Sequence, residues 1–272
     1  MTGVSKLFKV RKFEEGKLVP SEAALIVEKE LPIIINGEHL ATASITPVME
    51  KEFVIGYLFG QGFIESPDEI STLEITEEGA CAVLTKTDYN SSWKAKTSCR
   101  IVSGGGRTAY FESSSLPYID SDFKIARKDI YKAIGLLFEK GSLYQTTGGA
   151  HSAALFDSEC NLRCVTEDIG RHNTLDKAIG YALLNRIDCG RTFMVSTGRM
   201  ASEMVMKIVR AGIPIVATKT AVTDKAREIG EKCGLTLIGS VRYAGHKMSV
   251  DMEIRSFQKE EMKIYTGAER VI

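Results

Sequence analysis

Apolar and polar positions alternate along residues 23–29 and again along 31–35, the period of a half-buried strand. Asn36-Gly37 follows, a pair favoured by two-residue hairpin turns, and residues 40–45 read as the return strand. The period then changes. Thr46-Pro47 offers a capping hydroxyl and a proline suited to the first helical position, and Val48, Phe53, Ile55, Leu58 and Phe59 form an apolar face. Gly60 and Gly62 close that helix. Runs at 73–76 and 81–85 again have strand character. Together these predict a smaller β-rich N-terminal domain over residues 1–118. From 88 to 115 the pattern dissolves into Ser, Gly, Lys and Arg, which predicts a long mobile loop, a length that points to function.

The second half, residues 119–272, reads differently. Ile130, Ile134, Leu137 and Phe138 mark a helix closed by Gly141. Extended runs follow at 152–156 and 162–166, then a helix carrying Leu175, Ala178, Ile179, Ala182 and Leu183. A strand at 192–196, a helix at 200–211, a strand at 213–218, a helix at 223–233 and a strand at 235–239 continue the alternation. A last strand is expected at 262–265. That order predicts an α/β fold, with parallel strands in a layered C-terminal domain.

Composition narrows the functional classes. With 35 basic and 35 acidic residues the net charge is zero, which argues against a nucleic-acid binder. No apolar run reaches membrane-spanning length, and the mixed-charge N-terminus does not read as a signal peptide. Six scattered cysteines without a CxxC pair read as reduced thiols, hence a cytoplasmic protein.

The densest chemistry lies at residues 167–173, Glu-Asp-Ile-Gly-Arg-His-Asn, where an extended run gives way to a helix. In α/β folds ligands bind at such junctions. Arg171, beside free N–H groups of a helix start, suits a phosphate or carboxylate. Asp168 suits the donor edge of a purine such as guanine, and His172 a ligand contact or a helix cap. The plain alternative is a capped helix start with solvated charges; the concentration of polar residues favours a site. Ser196-Thr197-Gly198-Arg199 sits at a second strand-to-helix junction and is either a phosphate cradle or a simple capped turn. Cys160 and Cys164 have CxxxC spacing and no second pair, which favours a β-turn with incidental thiols over a metal site. His151-Ser152-Ala153 resembles the start of a zinc deaminase motif, but Ala153 stands where the proton-shuttling Glu belongs. Cys99 lies among Lys94, Lys96, Arg100 and Arg107, cations that favour its thiolate; a lone loop cysteine is also often incidental.

Taken together these motifs resemble the formate dehydrogenase accessory sulfurtransferases, the FdhD family. The resemblance spans residues 30–272 and rests on INGEHLATASITP (35–47), GYLFGQGFI (56–64), TGGAHSAALF (147–156), EDIGRHNTLDKAIG (167–180), STGRMASEMVMK (196–207), AGIPI (211–215), GLTLIG (234–239) and YTGAERVI (265–272). It implies a cytidine-deaminase-like three-layer C-terminal domain and a homodimer. It implies transfer of persulfide sulfur from a cysteine desulfurase to the molybdenum or tungsten bis-molybdopterin guanine dinucleotide cofactor of formate dehydrogenase. Cys99 would carry the persulfide. Gly148, Gly149, His151, Asp168, Gly170, Arg171, His172, Asn173, Ser196, Gly198 and Arg199 would hold the cofactor, or guanine nucleotides as its mimics. Ser240, Val241, Arg242, Tyr243, Ala244 and Gly245 align with the family's short nucleotide-binding segment, followed here by an insertion over about 247–261. One departure stands out: many members carry CxxC in the loop, and here Val102 occupies the second position. A single-cysteine relay remains chemically sufficient. The alternative is a non-catalytic cofactor chaperone that has lost sulfur transfer. A deaminase or nucleoside hydrolase, the third reading, requires zinc.

Overall fold

The structure, a computed structural model, describes residues 3–85, 100–101, 107–108, 116–243, 247–250, 253–256 and 260–272. It opens on a hairpin of which the alternation read over 23–29 marks only the end, residues 23–26. Strands β1 (Ser5–Glu14) and β2 (Lys17–Ile26) pair in register, with Phe13 opposite Leu18. Their turn is Glu15-Gly16, both with positive φ (49° and 77°), the geometry of a tight hairpin turn.

Strands β3 (Lys29–Ile35) and β4 (Glu38–Ile45) form the predicted hairpin, with Asn36 and Gly37 at φ 49° and 85°. They join β5 (Ile70–Ile75) and β6 (Ala80–Leu84) in a four-stranded sheet of order β4-β3-β6-β5. Leu31, Ile33 and Ile35 point inward at every second position and are sealed from solvent. Helix α1 (Glu50–Gly60) starts later than the Thr46-Pro47 signal suggests, capped by Met49 in a left-handed conformation. Thr46 is not its cap. That residue is instead tied to the other half of the chain.

Within the stretch expected as loop, the backbone pairs β7 (Arg100–Ile101) with β8 (Arg107–Thr108). Helices α2 (Arg127–Lys140) and α3 (Ser142–Thr147) come next. Then β9 (His151–Asp157), β10 (Leu162–Asp168), α4 (Arg171–Leu184), β11 (Thr192–Ser196), α5 (Ser202–Arg210), β12 (Ile215–Thr218), α6 (Asp224–Lys232) and β13 (Thr236–Arg242) follow. In the insertion, β14 (Lys247–Val250) pairs with β15 (Glu253–Ser256); β16 (Glu261–Thr266) completes the main sheet.

That sheet has the order β10-β9-β11-β12-β13-β16. Its middle, β11-β12-β13, is parallel as expected, while the pairings β11-β9, β9-β10 and β13-β16 are antiparallel, so only β9 and β16 run against the middle. Alternate residues serve opposite faces. Ala154, Phe156, Phe193, Val195, Ile215 and Ala217 meet α2, and Ala153, Leu155, Met194, Val216 and Leu237 share the other core with α4, α5 and α6. The result is a three-layer α/β/α arrangement. The second core also takes in α1 and the small sheet, so the two sheets fall on either side of residue 118 while one core joins them.

Glycine makes that junction possible. A Cβ on Gly56 of α1 would stand 1.8 Å from the Asp176 carbonyl oxygen, and one on Gly180 of α4 would stand 1.9 Å from that of Glu52. The helices therefore touch backbone to backbone. Among the described residues no helix is long and apolar enough to cross a membrane.

Candidate functional site

Strand direction gathers the polar segments at one sheet edge. His151 opens β9 opposite Asp168, the last residue of β10. Beyond β11, the Thr197 N–H donates to the Ser152 carbonyl (2.9 Å) and the Thr197 hydroxyl accepts from the Ser152 N–H (3.0 Å). Thr218 donates its hydroxyl to the Gly198 carbonyl (2.7 Å), Thr220 to that of Thr197 (3.3 Å), and the Ser240 N–H bonds the Thr220 carbonyl (2.8 Å). Gly148, left-handed at φ 66°, ends α3 just before this edge, and Gly149 lies against Ile26 of β2. So 148–151, 168–173, 196–199 and Ser240, far apart in sequence, are neighbours. Tyr243 packs along α2 at Gly135. The Val241 side chain is sealed in the core under α2, so what this residue can offer a ligand is its backbone. Cys99, Val102, Ala244 and Gly245 lie outside the described residues.

Asp168 departs from the purine-edge expectation. It is fully buried, and its carboxylate accepts four hydrogen bonds: the Thr46 N–H (3.0 Å) and Lys177 Nζ (2.5 Å) at Oδ2, the Gly170 N–H (2.8 Å) and Asn173 Nδ2 (2.8 Å) at Oδ1. A carboxylate so engaged has no capacity left for a purine edge. Lys177, equally buried, also donates to the Thr46 and Glu167 carbonyls (3.0 and 3.2 Å). Burial pulls its pKa down, with Asp168 opposing. Asn173 spends its amide on Asp168 and on the Ser44 carbonyl (2.8 Å), and the Thr46 hydroxyl accepts from the Ile169 N–H (3.2 Å). These contacts clamp the N-terminal chain at 44–46 under the site. Glu167 likewise works internally: its two oxygens accept the Leu143 and Tyr144 N–H groups (2.9 Å each) at the start of α3.

Above this floor the side chains are cationic. Gly170 caps α4 with no side-chain hydrogen bond, so the start of a 14-residue helix keeps its N–H groups at the edge. Arg171 begins that helix. Its pKa is lowered first by burial and then by the nearby charge of Arg199, which is exposed. Gly198 permits the approach, since a Cβ there would stand 2.8 Å from the Arg171 Cβ. Two guanidiniums that feel each other beside a helix N-terminus suit a diphosphate. His172 bonds Glu203 through Nε2 (3.0 Å), and this bond is the main reason the Glu203 carboxyl falls to about 2. The pKa of His151 is lowered by burial, then by Arg171, which leaves a neutral ring at neutral pH. Thr46, Lys177 and Glu203 are contributors that the motif reading passed over; no spacing rule flags them.

The thiols divide by environment. Burial pushes Cys164 to about 12 and Cys189 to about 11, and raises Cys160 and Cys233 as well. Cys160 sits in the expected turn, left-handed at φ 61°, with its Sγ toward the Asp129 carbonyl (3.8 Å). Cys81, on β6, is exposed.

A family model described as the FdhD/NarQ family matches residues 26–272. Relatives named sulfur carrier protein FdhD include those of Bacillus pumilus, 33% identical over 88% of this chain and 93% of the relative, and Bacillus subtilis, 32% identical over 86% and 90%. That of Methanothermobacter thermautotrophicus is 30% identical over 84% and 89%. The fold is similar to the crystal structure of a protein from Desulfotalea psychrophila described as a formate dehydrogenase accessory protein, with a TM-score of 0.79, 23% identity, and coverage of 99% of this chain and 100% of that one. With the model matching all but the first 25 residues, the chain belongs to the FdhD/NarQ family.

Proposed function

We propose that this protein is a sulfur carrier serving formate dehydrogenase in the cytoplasm. Cys99 accepts sulfane sulfur as a persulfide from a cysteine desulfurase and passes it to the molybdenum or tungsten bis-molybdopterin guanine dinucleotide cofactor, which is cargo rather than a resident group. The observation that carries this reading is the convergence of Arg171, Arg199, Gly198 and the uncapped α4 start on one sheet edge in a chain of this family. Those groups fit the diphosphate parts of a dinucleotide. His151, neutral and half-buried beside them, is suited to bond a ligand oxygen or nitrogen. Asp168, Asn173 and Lys177 hold the platform rather than the ligand. The protein acts as a homodimer on this reading.

On loading, the Cys99 thiolate attacks the outer sulfur of the desulfurase persulfide, whose S–S bond breaks as the desulfurase thiolate leaves. On delivery an acceptor nucleophile takes that sulfane sulfur and Cys99 leaves as thiolate, so a single loop cysteine is enough. The other buried thiols are unsuited, since burial disfavours their thiolates. The test is sulfane sulfur on the protein after incubation with a cysteine desulfurase and cysteine. Wild type and Cys81→Ala are expected to load, and Cys99→Ala is expected to lose nearly all loading and delivery. If Cys99→Ala loads and delivers like wild type, the relay is wrong. Val102 in the second loop position favours one competing reading, a chaperone that binds the cofactor without carrying sulfur. Guanine-nucleotide binding with no loading of the wild type would establish that one instead.

A further inference from the structure

The residue after β12 is Lys219. Lys219 continues the strand onto the sheet edge, and its backbone N–H donates to the Ser196 carbonyl (3.1 Å) at the head of the Ser196–Arg199 turn. Its side chain leaves on the α2 side, with Nζ 4.3 Å from the centre of the Phe138 ring. That ring meets Tyr144 edge-on (6.4 Å between centroids, 67° between planes), and Tyr144 is itself 40% exposed. Lysine ammoniums usually follow their stems out to water. This one is half-buried on an aromatic face, one strand end away from Thr197 and Gly198.

We infer that Lys219 is a further anion-binding residue of the sheet-edge site, meeting a diphosphate ligand from the α2 face while Arg171 meets it from the α4 face. The inference rests on the nucleotide-site reading above and extends it. A ring face attracts a cation without fixing it in direction, so an entering phosphate can draw the ammonium across the edge. Burial alone brings the amine to about 8, so near neutral pH it is mostly charged and becomes neutral as pH rises through that value. A bound anion favours the charged form. Ligand affinity therefore falls as pH rises above about 8, because binding then requires proton uptake.

Around this edge Tyr243, Glu203 and His151 are shifted away from that window. At the end of α2, Lys140 and Glu139 are exposed and paired with each other (2.9 Å). Tyr243 is held above its usual range by burial, which keeps it neutral. Across the edge, Glu203 is near 2 through its bond to His172, and His151 is lowered, so both act on the acid side. The guanidinium side chains at this end of the sheet are Arg171, Arg199 and, on β13, Arg242.

The experiment is calorimetric titration of the full chain with GDP and, separately, with inorganic pyrophosphate, at pH 7 and pH 9. Wild type is compared with Lys219→Met and Lys219→Arg, and thermal unfolding without ligand is recorded for each. Lys219→Met is expected to bind both probes about tenfold to hundredfold more weakly at pH 7, the loss of one charge-assisted contact, and to lose the fall between pH 7 and pH 9. Lys219→Arg is expected to bind well at both pH values, because a guanidinium does not deprotonate there. Wild-type affinity in Lys219→Met, or a persistent fall in Lys219→Arg, overturns the inference, and the arginine variant decides if the methionine variant is unstable. A wild type that binds pyrophosphate but not GDP removes the guanine reading while still testing Lys219. Binding of neither probe overturns both.

Discussion

Two charged regions lie within a few residues of each other on α4 and behave as opposites. The floor holds Asp168 with Lys177 and Asp176 with Lys207, pairs that are almost wholly closed to solvent. Every oxygen of Asp168 is engaged, and Lys207 grips both oxygens of Asp176 (2.7 and 2.5 Å). The rim holds Arg171, His172 and Arg199, partly or fully open. In the sequence Asp168, Arg171 and His172 fall in one polar block. In space, counter-charge and burial separate them: the floor spends its charge on the fold, and the rim sets the guanidiniums of Arg171 and Arg199 beside the one carboxylate of Glu203. A charge that is saturated positions a site, and a charge in excess recruits a ligand.

Removing half of a floor pair is the harshest way to break this contrast. Lys177→Met leaves Asp168 buried without its counter-charge and frees the Thr46 and Glu167 carbonyls. The expected loss of stability is about 3–5 kcal/mol, read as a large drop in the urea midpoint. The double variant Lys177→Met, Asp168→Asn is expected to recover part of that loss, because no lone charge remains. If Lys177→Met alone unfolds like wild type, the floor is not holding the fold.

Much of this architecture was open to sequence reading, for physical reasons. Buried strands such as β11 and β12 are short apolar runs between polar junctions, and Asn36-Gly37 adopts the two positive φ values its residue types favour. Most of the β1–β2 hairpin escaped because Lys6, Lys9, Arg11 and Lys12 are interleaved with Leu7, Phe8 and Val10, so neither face reads as apolar. Thr46-Pro47 has the residue types of a helix start, yet the helix begins beyond it with Met49 as its cap. The partner of Thr46 is Asp168, 122 residues away, and no local pattern announces a contact at that range. The site segments were legible as glycine and polar clusters at strand ends. Their roles were not, since Asp168 looks the same whether Lys177 occupies it or leaves it open.

The His172–Glu203 pair stands between floor and rim, and acid separates its share from theirs. Glu203 is nearly buried and its carboxyl is lowered to about 2 in the fold, chiefly by the His172 bond, from an ordinary value of 4.5. A depressed carboxyl adds stability that is fully present above pH 4.5 and is lost as pH falls toward 2. Glu203→Gln is therefore expected to cost about 1–3 kcal/mol near neutral pH and to flatten the loss of stability between pH 4.5 and 2. Denaturant unfolding at successive pH values measures both. An unchanged acid limb would show that the pair contributes nothing in that window.

The mildest substitution sharpens the comparison most. Arg199 is exposed and follows Gly198, with no ion pair engaging it among the described residues. Arg199→Ala should therefore change stability by no more than about 0.5 kcal/mol, even though it removes a full charge. It also relieves Arg171 of a repulsive neighbour, so the pKa of that guanidinium moves back toward its ordinary value. If the rim is a ligand platform, the same substitution lowers affinity for GDP or pyrophosphate about tenfold or more, and the loss shrinks at high salt because exposed charges are screened. A variant that unfolds like wild type yet binds tenfold more weakly has lost only a ligand contact. A variant that binds like wild type would return Arg199 to the class of solvated surface charges and leave Arg171 to hold the anion with the helix start.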